Sequence, residues 1–307
     1  MKHSFWKHVF LPYILMSFTI MLLLGLIFAV FAMGGNSFWP SWAMWIVPIA
    51  VSIVAIWFLR DRYFKDLYLG RHLFAQIYAV DVFLYVSLCL ISVFIFIPMG
   101  KSIRYNLADV VRLESVNDIK PYESFDFIEL NDWHVDRMRV IPFSYFEFAG
   151  GANLGKVELN TLFVVPLFSK KDPYLTTAKA WMGFKYTDYV SFINVIRGNQ
   201  EDLDEHLRRS YNHFKMRDIS DFAYLEALPK NKVRNTFQAL AATHTYYNSK
   251  YDNVYVGQEV ERDILSLYYL QFTLFLYLIF GLPVALLFSW LIYRVQKKNE
   301  LHELATT

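Results

Sequence analysis

The chain has 307 residues, of which 55% are hydrophobic, 19% aromatic and only 19% charged, whereas soluble proteins carry roughly 25% charged residues. Its formal net charge is +2 and its one cysteine, Cys89, lies in an apolar run. No basic tract fits nucleic acid, and disulfides and thiolate metal sites are excluded.

Charge is absent where spans are expected. The 51 residues Val9–Leu59 carry none, Ile264–Tyr293 carries none, and Leu73–Gly100 has only Asp81. A span needs about 20 mainly apolar residues to cross roughly 30 Å of hydrocarbon. The first run is too long for one helix and is broken at Gly34, Gly35, Asn36, Ser37 and Pro40. It divides into spans at about 10–33 and 42–59, with Trp39, Trp42 and Trp45 at the interface. Two more spans are expected at about 77–99 and 267–293. A signal peptide cut after Val30-Phe31-Ala32 is the competing reading of the first span. Its apolar stretch exceeds the roughly 7–15 residues of a signal core, which favours an uncleaved helix.

Lysine and arginine in the short loops set the orientation. Lys2 and Lys7 precede the first span, Arg60, Arg62, Lys65 and Arg71 follow the second, and Arg294, Lys297 and Lys298 follow the fourth. This pattern puts both termini in the cytoplasm of a bacterial inner membrane and residues 101–263 outside it. That segment holds 21 basic and 23 acidic residues, whereas the rest of the chain holds 9 and 5. The expected organisation is a three-helix membrane region over 1–100, an extracytoplasmic α+β domain over 101–263, and a fourth helix with a short tail over 264–307.

The outer domain opens as β structure. Lys156–Pro166 alternates with one strongly apolar face, Arg139–Phe148 is β-rich, and the glycine-rich turn between them predicts a hairpin. Ala180, Met182, Phe184 and Tyr186 mark a third strand, and Phe125–Leu130 a shorter fourth. A small antiparallel sheet is expected. The period then changes. Leu203, Leu207, Tyr211 and Phe214 form one helical stripe, with Asn199 and Asp202 as its cap, and a second helix is expected over Val233–His244. From Gln258 the pattern reads as helical straight into the fourth span, and if unbroken to Lys298 that helix would reach roughly 60 Å.

The candidate chemistry is sparse. Asp132, His134 and Asp136 are spaced by two, so on a strand they share one face and could hold a divalent metal or act as an acid–base set. A solvated strand face is the plainer reading. His206, His213 and His244 read as surface histidines. Asp81 is the only ionisable residue inside a predicted span, close to Arg71 and His72, and an acid there is either functional or paired. The Phe and Tyr residues are expected to face lipid in the spans and to form core in the sheet. The serine-nucleophile elbow, the His-Glu-x-x-His motif, the P-loop and the dinucleotide fingerprint are all missing, and no cofactor is expected.

Three stretches together carry a resemblance. They are Asp132-Trp133-His134-Val135-Asp136-Arg137, Phe163-Val164-Val165-Pro166-Leu167-Phe168 and Ala180-Trp181-Met182-Gly183-Phe184-Lys185-Tyr186. Together they are similar to the outer domain of uncharacterised multi-span membrane proteins of Bacteroidota-type bacteria, some with a rhomboid-type protease region in the same chain. The resemblance implies an envelope location and an accessory role. The rhomboid serine motif does not occur here. The leading expectation is a membrane-anchored binding or scaffold protein, an accessory subunit of an envelope complex whose partners are the bilayer and another membrane or envelope protein. A membrane enzyme using Asp132, His134 and Asp136, a transporter subunit using Asp81, and a homo-oligomer are the alternatives.

Overall fold

The computed structural model describes residues 6–33, 39–40, 42–64, 74–149, 156–172, 177–191, 200–219 and 222–306. The chain divides into two compact units, one of residues 1–108 with 262–307 and the other of residues 109–261.

The first unit is helical. After a π turn at Trp6–Phe10 come α1 (Leu11–Met33), α2 (Ala43–Tyr63) and α3 (Phe74–Leu107). The chain returns as α6 (Arg262–Leu276), a second π turn at Tyr277–Gly281 and α7 (Leu282–Thr306). Among the described residues four segments are long and apolar enough to cross a membrane: Lys7–Met33, Ala43–Tyr63, Val80–Leu107 and Arg262–Arg294. The helix expected from Gln258 is corrected at its start, and from Arg262 it runs on without a gap past Arg294. Gln258 closes a strand opposite Tyr224, and the helix that starts at Arg262 widens into the π turn just before Pro283. Proline has no amide to donate and crowds the carbonyl four residues back, so the ladder is remade locally.

Close packing and side-chain hydrogen bonds join these helices to one another. Tyr13 donates to Ser87 Oγ at 2.9 Å, Ser17 Oγ and the Tyr277 hydroxyl lie 2.6 Å apart, and Ser52 donates to Ser92 at 2.8 Å. Tyr13, Phe28, Phe64, Phe96 and Phe288 are buried in the bundle core. Aromatics in these helices therefore pack inward as well, against the expectation that they face lipid. Trp39 also packs inward, its ring 5.2 Å from Phe28 and 5.6 Å from Phe96.

Among the described residues the second unit holds an eight-stranded sheet. Its strands are β1 (Val110–Ser115), β2 (Phe127–Asp132), β3 (His134–Val135), β4 (Ile141–Phe148), β5 (Lys156–Phe168), β6 (Ala180–Ser191), β7 (Tyr224–Ala227) and β8 (Val254–Gln258). The order is β1-β2-β7-β8-β6-β5-β3, and β4 pairs β5 beside β3. The predicted hairpin is present, with β4 and β5 antiparallel from Ile141 opposite Val164 to Phe148 opposite Val157. The small antiparallel sheet is not. The sheet is larger and mixed, because β1 runs parallel to β2 and β6 parallel to β8.

Two helices lie between the strands in sequence, α4 (Gln200–Met216) and α5 (Lys232–Ala242). They cover opposite faces of the sheet, which is why β5 is buried on both sides from Leu159 onward. Phe163, Val165, Met182 and Phe184 pack with Phe214 of α4. Leu162, Val164 and Trp181 pack with Phe237 of α5. Gly183 permits that second contact, since a Cβ there would stand 3.0 Å from the Phe237 ring.

Candidate functional site

The spacing of Asp132, His134 and Asp136 does not become a shared face. β2 ends at Asp132, Trp133 interrupts the ladder, β3 is only two residues long, and Asp136 stands outside any strand. Asp132 is 8% exposed. Its Oδ2 accepts from the Ser169 and Ser115 hydroxyls, the latter at 3.3 Å, and its Oδ1 from the Lys170 amide at 2.9 Å. Asp136 accepts from the Met138 amide and caps the turn Arg137–Arg139. His134 pairs with Phe168 on β5, its ring against the phenyl, and its buried Nδ1 makes no hydrogen bond among the described residues. Each side chain thus has a separate setting. Among the described residues no group of three or more His, Cys, Asp or Glu could hold a metal ion.

What this segment does is fasten elements together. Arg137 donates from both terminal nitrogens, at 2.6 Å each, to the carbonyls of Lys215 and Arg217 at the end of α4. A guanidinium there satisfies orphan carbonyls and complements the helix dipole. The three donors around Asp132, led by Ser169, hold its carboxyl below the usual carboxylate range. A depressed carboxyl contributes stability that is complete above the unfolded value of about 3.9 and is lost as pH falls through the lower folded value. Asp132→Asn should therefore lower the melting temperature at neutral pH, and the gap to wild type should narrow as pH falls below about 3.9. Melting curves of the detergent-solubilised chain at several pH values check this, and a gap that stays constant with pH would contradict it.

Asp81 is 20% exposed at its side chain and pairs with Arg60 of α2, Nη1 to Oδ2 at 3.2 Å. Arg71 and His72, the neighbours expected from the sequence, lie outside the described residues. The acid thus joins α2 to α3 near one end of both helices.

Sequence reasoning missed His206. It is 1% exposed, not a surface residue. Its Nδ1 lies 2.7 Å from Asp188 Oδ2, and its Nε2 lies 2.9 Å from Thr161 Oγ1 and 3.3 Å from Ser210 Oγ. Thr161 Oγ1 continues to Ser144 Oγ at 2.7 Å. The chain runs from β6 through α4 and β5 to β4. Residues paired across the ladder share a face, and Ser144, Thr161 and Tyr186 are paired in sequence across β4, β5 and β6. Asp188 follows two residues after Tyr186, on that same face. The buried stripe of α4 is His206, Ser210 and Phe214, while Tyr211 is 39% exposed. Of the predicted stripe Phe214 is buried as expected, while Tyr211 turns outward because the hydrogen-bonded pair His206 and Ser210 turns inward. Asn199 and the side chains of Asp202 and Leu203 lie outside the described residues. His213 is exposed, and His244 accepts from the Tyr246 amide at 3.2 Å.

The two outer edges of the sheet differ. β1 presents Arg112 and Glu114 as its exposed residues, and charge is the usual protection of an edge strand. β4 presents Phe143, Phe146 and Phe148, exposed by 41%, 49% and 82%. The Ala149 amide donates to Lys156 O directly opposite it, which fixes the alternation. Odd-numbered residues of β4 exchange hydrogen bonds with β5, and even-numbered residues turn their amide and carbonyl to the other side. Pro142 fits this phase, since its position needs no donor. Among the described residues β4 has no strand on that side.

Comparison with family models, with curated proteins and with solved structures finds no match to this chain.

Proposed function

We propose that this is a membrane-anchored binding or scaffold protein, an accessory subunit of an envelope complex, whose sheet domain takes an extended segment of a partner polypeptide along β4. In this reading the four spans lie in a bacterial inner membrane, with both termini cytoplasmic and the sheet domain outside. The lysine and arginine distribution supports that orientation, and the resemblance noted above supports the envelope location.

The observation that carries the proposal is the aromatic edge. Ser144 and Phe146 direct backbone groups away from β5, and Phe143, Phe146 and Phe148 offer apolar surface on both faces of the same strand. Strand addition uses these two features together: main-chain hydrogen bonds give affinity, and side chains at alternate positions give selectivity. The charged β1 edge lacks the second feature. Crosslinking in native membranes, followed by affinity purification and mass spectrometry, should recover a single stoichiometric partner. Recovery of the chain alone would overturn the reading, and recovery of a second copy joined at β4 would replace it with a homo-oligomer.

A further inference from the structure

The chain Asp188–His206–Thr161–Ser144 starts at a half-exposed carboxylate, passes through buried groups and ends on the edge strand itself. We propose that it is a proton-operated relay that sets the direction of the Ser144 hydroxyl at the β4 edge. The consequence for binding rests on the docking reading above, but the relay does not.

Each donor along the chain must meet an acceptor. A neutral imidazole has one N–H and one bare nitrogen. Asp188 is a carboxylate, so the imidazole N–H belongs on Nδ1, 2.7 Å away. Nε2 is then an acceptor, and the Thr161 hydroxyl donates to it. Thr161 Oγ1 in turn accepts from Ser144. In this state the Ser144 proton points into the domain.

Adding a proton to Nε2 leaves the Nδ1–Asp188 bond as it was and reverses the two hydroxyl bonds without moving a heavy atom. Nε2 now donates to Thr161, Thr161 donates to Ser144, and the Ser144 proton is released toward the edge. Ser210, 3.3 Å from Nε2, switches from donor to acceptor in the same step. A group docked beside Ser144 therefore meets an acceptor oxygen in one state and a donor in the other.

Among the described residues the charged surroundings are few. β6 contributes Asp188, together with the Tyr186 phenol on the same face. α4 contributes Arg209, 3.5 Å from Asp188, and Glu205, 3.8 Å from Arg209. On this face β4 and β5 supply the hydroxyls of Ser144 and Thr161 and no ionisable group. The Arg209–Glu205 pair leaves Asp188 as the carboxylate in contact with the imidazole, and Asp188 is open to water at 39% exposure. Nδ1 already carries its proton, so the added one reaches Nε2 from the partly exposed Ser144 hydroxyl by way of Thr161.

The test is nitrogen NMR of the full chain in detergent micelles with ¹⁵N-labelled histidine, the His206 resonances being assigned by their loss in His206→Gln. At alkaline pH His206 should carry its proton on Nδ1, and acidification should add one at Nε2. Thr161→Val, which keeps the shape and removes the hydroxyl, should shift the Nε2 resonance. Ser144→Ala, two hydroxyls away, should shift it as well. Asp188→Asn should move the neutral proton from Nδ1 to Nε2, because the amide nitrogen can donate. A neutral ring protonated on Nε2 in wild type would overturn the relay. So would an imidazole that keeps one proton throughout the folded range, or an Nε2 resonance indifferent to Ser144→Ala. None of these readings requires a partner, so the relay can fail while docking stands, and the reverse.

Discussion

Phe163→Ala should destabilise the sheet domain by about 3–5 kcal/mol, the usual cost of truncating a buried phenylalanine. Phe163 is 1% exposed on β5, the strand that holds β6 on one side and β3 and β4 on the other. Its ring stacks on Phe214 with centroids 4.9 Å apart and meets the edge of Tyr186 at 5.6 Å. Removing it opens a cavity beneath α4, whose remaining hold on this face includes the His206 network. The cavity adds to the lost transfer energy because a mixed sheet pinned on both sides relaxes little. Urea titration of the full chain in detergent, followed by hydrogen exchange of peptides from β5 and β6, reads the loss. Phe148→Ala, at 82% exposure, is the control and should stay within about 0.5 kcal/mol of wild type. A Phe163→Ala cost no larger than the control's would contradict this packing.

Phe146→Pro should leave the domain folded and reduce partner recovery at least tenfold. Position 146 turns its amide away from β5, so proline there removes no ladder bond, as Pro142 already demonstrates at the same phase. Position 145 has the opposite phase. Tyr145→Pro deletes a bond to β5 and should destabilise the hairpin by about 3 kcal/mol. The pair separates a docking amide from a folding amide one residue apart. Phe146→Ala then tells how much of the effect is the ring, since it keeps the donor. Partner recovery unchanged in Phe146→Pro would rule out strand addition along β4, and melting temperatures of the three variants show whether each is folded.

The parts of the fold legible in the sequence are those governed by local pattern. A charge-free run of sufficient length marks a helix able to cross a membrane whatever surrounds it, and the β4–β5 hairpin announces itself by a β-rich run and an alternating run on either side of a glycine-rich turn. The remainder depends on partners distant in sequence. β7 has four residues and β8 five, too few for a period to emerge, and the parallel pairing of β6 with β8 joins Trp181 to Val254. β5 reads as having one buried face because α5, which covers the other, lies far along the chain. Asp132, His134 and Asp136 look like a site only if the strand continues through Trp133, and it does not.

His206 shows the same limit at the level of a site. Counting apolar residues on a helix selects Leu207 and Tyr211 and passes over a histidine. The available signal was polar: Ser210 stands four residues after His206 and Phe214 eight, while Thr161 interrupts the apolar face of β5. A threonine on a buried strand face needs a partner, and a histidine and serine one turn apart on the covering helix can supply it. The exposed phenylalanines of β4 were equally present in the sequence, yet their exposure follows from the sheet order, which makes β4 an edge.

The docking edge is the central claim, and site-specific photocrosslinking in native membranes tests it most directly. A photoreactive phenylalanine analogue at position 146 should join one partner polypeptide, and the same analogue at position 112 on the β1 edge should join none. Equal crosslinking from both positions, or none from position 146 in a chain that remains folded, would contradict the account.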